Sequence, residues 1–173
     1  MKLKHLSLLL VLILASCQNS QKIGYVDNGK VINAYQEKID LDNKFETINE
    51  IFTKKTDSLI QAFQMEYNTY EVRSHSMTKA KKEKEFGVIS KKQQALQQSI
   101  EMEQQMLQRN YQTEMDSVIN KVKVFVNDFG KKENYEMILG TSDVSATVMY
   151  GNDKLDITEK VISELNATFN KKQ

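Results

Sequence analysis

No proline occurs anywhere in the 173 residues. At the ordinary frequency of about 5% roughly eight or nine would be expected, and proline is the residue that most reliably ends a helix. Between Val31 and Phe129 the only glycine is Gly87. Long, uninterrupted helices are therefore expected over much of the chain. Collagen-like and proline-rich classes are excluded, and the single cysteine excludes a disulfide-rich one.

Within that stretch the apolar residues recur at threes and fours. Leu41, Phe45, Ile48, Phe52, Leu59, Phe63, Tyr67 and Tyr70 form one stripe close to the heptad period. A second runs through Phe86, Ile89, Leu96, Ile100, Leu107, Tyr111, Val118, Val122, Phe125 and Phe129, with polar vacancies at Gln93, Glu103 and Glu114. The vacancies suggest a loosely packed seam whose arms can splay. Between the stripes, Arg73-Ser74-His75-Ser76-Met77-Thr78 is a polar break, and Thr78 is placed to cap a helix starting at Lys79. The pattern predicts a helical hairpin with arms of about 36–73 and 79–129, a rod of roughly 55 to 75 Å. Gly87 either softens the returning arm or is a tolerated surface glycine costing about 1 kcal/mol.

The two ends of this region read differently. Lys22-Ile23-Gly24-Tyr25-Val26-Asp27 predicts a short strand with Ile23 and Tyr25 on one face, ended by Asn28 and Gly29. After Gly130, the runs 135–140 and 146–151 predict two further strands joined by 141–145. A closing helix follows, capped by Asp156 or Thr158, with Ile157, Val161, Ile162, Leu165 and Phe169 on its buried side. The fold class is α+β, mainly α: a β-rich body from 22–35 and 130–173, with a hairpin arm inserted at 36–129 and its tip near 73–79. Three short strands and a two-helix seam enclose little core, so oligomerisation is expected.

The amino terminus reads as an address. Lys2 and Lys4 precede an apolar stretch from Leu6 to Ala15, interrupted only by Ser7, which is the layout of a secretory signal over 1–16 and too short to span a bilayer. Leu14-Ala15-Ser16-Cys17 resembles the bacterial lipobox, which implies cleavage before Cys17, acylation of its thiol and a lipidated linker at 17–21. Several acyl chains, each contributing about 0.8 kcal/mol per buried methylene, hold a protein to a bilayer durably. Gln18 follows the cysteine and the first acidic residue is Asp27; by analogy with bacterial sorting, an outer-membrane anchor is favoured, with the leaflet open.

Processing would remove two lysines and leave 22 basic against 23 acidic side chains, a balance that argues against a nucleic-acid binder. Charge is unevenly placed. Residues 71–92 hold seven basic and three acidic groups, whereas 36–70 hold four and seven. The tip bases Arg73, Lys79, Lys81, Lys82, Lys84, Lys91 and Lys92 could meet anionic lipid headgroups or acidic polypeptide segments, or form an ordinary solvated face. Met65, Met77, Met102, Met106 and Met115 suit either gap-filling in the arms or a surface that accepts many apolar shapes. No catalytic residue, metal site or cofactor is expected: His75 is the one histidine after processing, the cysteine would be acylated, and no glycine-rich phosphate loop occurs.

Lys22 to Asp27, the long proline-free middle, and the ending from Tyr135 to Gly140 and from Val148 to Thr158 resemble the periplasmic chaperone family Skp, also called OmpH. The resemblance covers about residues 22–169, the middle by character rather than by letter. It implies a jellyfish-shaped homotrimer whose terminal strands make a small shared barrel, with helical arms around a cavity that holds unfolded outer-membrane proteins without ATP. Ile23, Tyr25, Val26, Ile138, Leu139, Val148 and Tyr150 would build that trimer body. A lipid anchor at Cys17 departs from the usually soluble family and implies a periplasmic protein fixed to a membrane. The rival reading is a coiled-coil lipoprotein that tethers or spaces the envelope, which has no use for strand-forming ends.

Overall fold

The structure is a computed structural model and describes residues 21–142 and 145–171. The signal and Cys17 lie outside the described residues. Along the chain run β1 (Ile23–Asp27), α1 (Asn28–Ala34), α2 (Gln36–Ser74), α3 (Lys79–Lys132), β2 (Met137–Thr141), one 3-10 turn (Asp153–Leu155) and α4 (Thr158–Asn170). Two compact units result: a hairpin over 32–121, and a strand unit from the described residues up to Val31 with Val122–Asn170.

In the hairpin unit, α2 and α3 lie antiparallel along the expected stripes. Leu41, Phe45 and Val118 are buried at one end, and Tyr70, Ser74 and Ile89 at the other. Between them Phe52, Phe63, Leu96, Ile100 and Leu107 are half-buried, because a two-helix seam covers each side chain from one side only. Phe45 meets Tyr111 edge-on, with centroids 5.3 Å apart. At the turn, Ser74 Oγ donates to the Glu71 carbonyl (2.7 Å), Ser76 N to that of Arg73 (3.2 Å) and Met77 N to that of Ser74 (3.2 Å). The carbonyl of Thr78 then accepts the first bond of α3, from Lys82 N at 2.9 Å.

In the strand unit, β1 and β2 pair in parallel from Ile23 opposite Met137 to Asp27 opposite Thr141. The other edge of β1 bridges Asp156, and Ile157 N donates to the Tyr25 carbonyl at 3.0 Å. Of the two expected caps of α4, Asp156 serves: its Oδ1 accepts from Thr158 N (2.9 Å) and Thr158 Oγ1 (2.5 Å), while the Thr158 hydroxyl accepts from Asp27 N (3.0 Å) and ties α4 to β1 rather than capping it. Val161 and Leu165 form the buried side of α4, Ile157 is buried just before it, and Ile162 and Phe169 are half-buried.

Four features differ from the sequence expectation. The buried face of β1 is Gly24 and Val26, while Ile23 is exposed and Tyr25 half-buried; a Cβ on Gly24 would lie 3.0 Å from Ile157 Cδ1 and 3.1 Å from Tyr135 Cε1, so only glycine admits them so closely. Asp27 does not simply end the strand. Its Oδ1 accepts from Lys30 N at 3.0 Å and caps α1, despite the weak helix formers Asn28 and Gly29.

Helix α3 does not stop at Gly130. It continues to Lys132 and ends in a Schellman turn with Asn134 at φ 57°, Tyr135 N donating to the Gly130 carbonyl (2.9 Å) and Asn134 N to that of Lys131 (3.3 Å). Gly130 is instead a buried contact point for Ile138. Finally, the described part of 146–151 is not a strand. Ser142 N and Thr147 N both donate to the Ser145 carbonyl, at 3.2 and 2.8 Å, so the segment folds back on itself. A β-favouring run becomes a strand only against a partner edge; the second edge of β1 is taken by Asp156, and 146–151 does not pair with the outer edge of β2.

Candidate functional site

The hairpin carries a feature that apolar periodicity did not reveal. Five ion pairs cross between its helices: Glu37 with Lys121, Lys44 with Glu114 (2.7 Å), Lys55 with Glu103 (2.8 Å), Glu66 with Lys92, and Arg73 with Glu85 (3.3 Å). Along α2 the steps are 7, 11, 11 and 7 residues, and the same steps run backwards along α3. Seven and eleven residues are close to two and three whole turns, so each helix presents one row and the rows meet in constant antiparallel register. Two of the apparent vacancies, Glu103 and Glu114, are therefore ladder members beside the seam rather than gaps in it. Because the side chains are largely solvated, each pair contributes only about 0 to 1 kcal/mol and serves mainly to fix alignment.

The opposite side of the seam is open. A groove of about 1020 Å³ there has Phe45, Phe52, Leu107 and Tyr111 in its floor and Asp42, Glu46 and Glu50 on its rim. Tyr111 donates its hydroxyl proton to Asp42 Oδ1 at 3.0 Å, and this bond, with partial burial, raises the pKa of the phenol. Tyr35, just before α2, is buried, donates to Glu37 Oε2 at 2.7 Å and has its pKa raised, chiefly by desolvation.

At the hairpin turn, Arg73 and Lys81 both approach Glu85, at 3.3 and 4.0 Å, and Lys92 pairs with Glu66. Lys79, Lys82, Lys84 and Lys91 make no ion pair among the described residues and are exposed. Beneath them Tyr70, tilted against Tyr67 and Phe86 at 6.3 Å, donates to the Lys82 carbonyl at 3.2 Å. The tip bases thus stand on an aromatic plug that holds the two helix ends together. Of the arm methionines, Met65, Met102 and Met106 are exposed, and Met77 and Met115 half-buried.

The strand unit holds the residues singled out for the body. Val26 is buried, Tyr25, Ile138, Leu139 and Val148 are half-buried, Ile23 is 38% exposed and Tyr150 88%. Tyr25 lies flat against Gly151, where a Cβ would sit 2.5 Å from its Cε1, and its pKa is raised by burial first and then by Asp156 and Asp153. Beyond β1, β2 pairs with no other strand among the described residues. Around the helix-to-strand junction, Lys160 Nζ donates to Glu133 Oε2 (2.6 Å) and lies over the Phe129 ring, while Lys22 Nζ donates to the Glu133 carbonyl (2.7 Å) and lies 4.1 Å from the Tyr135 centroid. That bond from Lys160 holds the Glu133 carboxyl below its ordinary pKa and raises that of Lys160. Among the described residues no three His, Cys, Asp or Glu side chains could share a metal ion, and no helix is long and apolar enough to cross a membrane.

No curated protein matches the chain. A crystal structure of a candidate outer membrane chaperone (OmpH-like) from Caulobacter crescentus CB15 superposes with a TM-score of 0.76 over 86% of this chain and 85% of that one, at 15% identity, and thereby shares its fold. The sequence family described as outer membrane protein (OmpH-like) matches residues 22–165. Its span takes in both strands, the whole ion-paired hairpin and all but the last turns of α4: the chain belongs to the OmpH-like outer membrane protein family.

Proposed function

We propose that the protein is an ATP-independent periplasmic holdase that binds unfolded outer-membrane proteins along its helical arms and keeps them from aggregating. Membership of the OmpH-like family carries the reading, and the Caulobacter crescentus structure of the same fold, described as a candidate outer membrane chaperone, points the same way. The hairpin is suited to it: a scaffold aligned by ion pairs, with apolar side chains left partly in water along its length. Suppression of light scattering when a urea-denatured outer-membrane β-barrel protein is diluted into buffer, with no nucleotide present, tests it. Aggregation at the rate seen without the protein refutes it and favours an envelope tether.

The working assembly in this proposal is a homotrimer built on the strand unit. Support comes from β2, whose outer edge has no strand partner among the described residues, and from Met149 and Tyr150, each 88% exposed. Ile23, Tyr25, Val26, Ile138, Leu139, Val148 and Tyr150 build the body of that assembly. The mass of the chain beginning at Cys17, with Cys17→Ser, is expected to be three times that of the monomer by light scattering, and Tyr150→Lys to lower it; a monomer refutes the assembly. Cys17 is the proposed lipid attachment, holding a periplasmic protein to a membrane, the outer membrane favoured over the inner. Metabolic labelling with palmitate should be lost in Cys17→Ala, and label retained there refutes the anchor. The tip cations, Lys79, Lys81, Lys82 and Lys84 among them, meet anionic headgroups or acidic client segments; reversing those four should weaken binding most at low salt.

A further inference from the structure

Methionine is among the residue types most often buried, and its flexible thioether is a usual filler of irregular gaps in a core. This chain uses it otherwise. Of its eight methionines, all but Met1 lie among the described residues, and none of those is buried. The buried apolar side chains are Val, Ile, Leu, Phe and Tyr without exception. Met149 is 88% exposed, Met65 65%, Met102 63%, Met137 52% and Met106 48%, while Met77 and Met115 are half-buried. Met102 and Met106 stand one turn apart on α3 and share a face.

An exposed thioether adds apolar surface as leucine would, and differs from leucine in the lone pair that its sulfur offers to oxidants. Hydrogen peroxide transfers one oxygen atom to it: the S–O bond forms, the O–O bond breaks, the sulfur loses two electrons, and the peroxide leaves as water. The sulfoxide so formed is polar. Sulfoxide reductases reverse the step, returning the sulfur to thioether and the oxygen to water while a dithiol is oxidised to a disulfide. The sequence offers few competing targets, with no tryptophan and with its one cysteine as the proposed acylation site.

We infer that Met65, Met102 and Met106 are modification sites, through whose sulfoxidation oxidants of the peroxide class switch the arm from holding apolar polypeptide to releasing it. The switch rests on the holdase reading and adds to it a covalent site and a means of control. None of the three side chains belongs to the core, so their oxidation leaves the hairpin folded while making three of its exposed large apolar side chains polar. Ile51, Leu59 and Ile60 cannot follow, so the loss is partial and graded with the number of sulfoxides.

The test uses the chain from Cys17 onward with Cys17→Ser, treated with graded hydrogen peroxide that catalase removes before a fluorescently labelled, urea-denatured outer-membrane β-barrel protein is added. Peptide mass spectrometry should find sulfoxide at Met65, Met102 and Met106 before Met77 and Met115, with far-ultraviolet circular dichroism unchanged. The Kd for the denatured protein should then rise about fivefold and return when sulfoxide reductases for both epimers are supplied with dithiothreitol. Met65→Leu, Met102→Leu and Met106→Leu combined should remove the response, giving one Kd before and after peroxide. Met65→Gln, Met102→Gln and Met106→Gln combined should show the raised Kd with no peroxide. A parent Kd unaltered once the three sulfoxides are present, or a leucine variant that responds to peroxide as the parent does, overturns the switch, as does oxidation that reaches Met77 and Met115 first. An untreated parent that fails to bind the denatured protein overturns the holdase reading itself, and the switch with it.

Discussion

Asn134 determines where the long helix stops and where β2 begins, and substitution there tests that assignment. Its φ of 57° lies in the left-handed region, where a side chain with a Cβ costs roughly 1–2 kcal/mol and asparagine recovers part of that through local hydrogen bonding. Asn134→Ala keeps the Cβ and loses the amide, so a loss of about 1 kcal/mol is expected. Asn134→Gly removes the Cβ clash but loosens the unfolded chain, and should fall within about 0.5 kcal/mol of the parent. For a chain of this size 1 kcal/mol corresponds to about 2–4 °C in Tm. The companion substitution is Gly130→Ala: it gains about 1 kcal/mol of helix propensity and meets only the flexible end of Ile138, Cδ1 at 3.2 Å and Cγ1 at 3.9 Å. It should be tolerated, whereas a glycine terminating the helix in the left-handed region would not accept alanine. Circular dichroism at 222 nm, at one fixed protein concentration because assembly would couple to melting, reads both. An Asn134→Ala protein as stable as the parent, together with a Gly130→Ala protein several degrees less stable, would refute the assignment and put the helix end at Gly130.

The ladder makes a second prediction: a double-mutant cycle on Lys55 and Glu103 should give a coupling of about 0.2–1 kcal/mol that shrinks in high salt, and zero coupling at low salt would show that the pair is not formed. Glu133, lowered chiefly by its bond from Lys160, stabilises the fold above the ordinary carboxylate value of 4.5 and loses that contribution as pH falls through the lowered value. Lys160→Met should therefore flatten the fall of Tm on acidification, and an unaltered acid limb refutes the linkage. Tyr111→Phe, by removing the bond to Asp42, should cost about 0.5–1.5 kcal/mol in urea unfolding. At alkaline pH the raised Tyr35 should ionise late and its ionisation should destabilise the fold, so an early absorbance rise that Tyr35→Phe abolishes would contradict its burial.

The helical hairpin was legible because its signals are local and repeat many times: no proline, two apolar stripes, and a polar break whose bounds the structure moves by a residue at most at the turn. Its ladder was also present in the sequence, as opposite charges stepping by 7 and 11 residues toward and away from the turn, but an apolar-periodicity reading registers Glu103 and Glu114 only as absences. The strand unit was less legible because single contacts decide it. Gly130 resembles a helix stop until Ile138 is seen against it, and Asn28 with Gly29 end the strand as expected but give no sign of the helix that the Asp27 carboxylate caps there. Residues 146–151 have strand composition, and composition cannot supply a partner edge. Of the candidate site residues, the tip cations could be placed from sequence alone. The two faces of the hairpin could not, since they depend on which side of the seam the ion pairs close.

The parallel pairing of β1 with β2 has a consequence for the order of folding. Ile23 must find Met137, 114 positions later, so the sheet cannot begin until the chain has been made at least that far. Closing a loop of that length as free coil costs about 4 kcal/mol in chain entropy. The hairpin meets no such obstacle, because its turn joins neighbours in sequence and the ladder can zip outward from Arg73 and Glu85 to Glu37 and Lys121. Once zipped, it leaves only short segments to be searched before the strands meet. Substitutions near the turn should therefore slow folding, and substitutions in the strands should chiefly hasten unfolding. On this reasoning the hairpin forms before β1 and β2 pair.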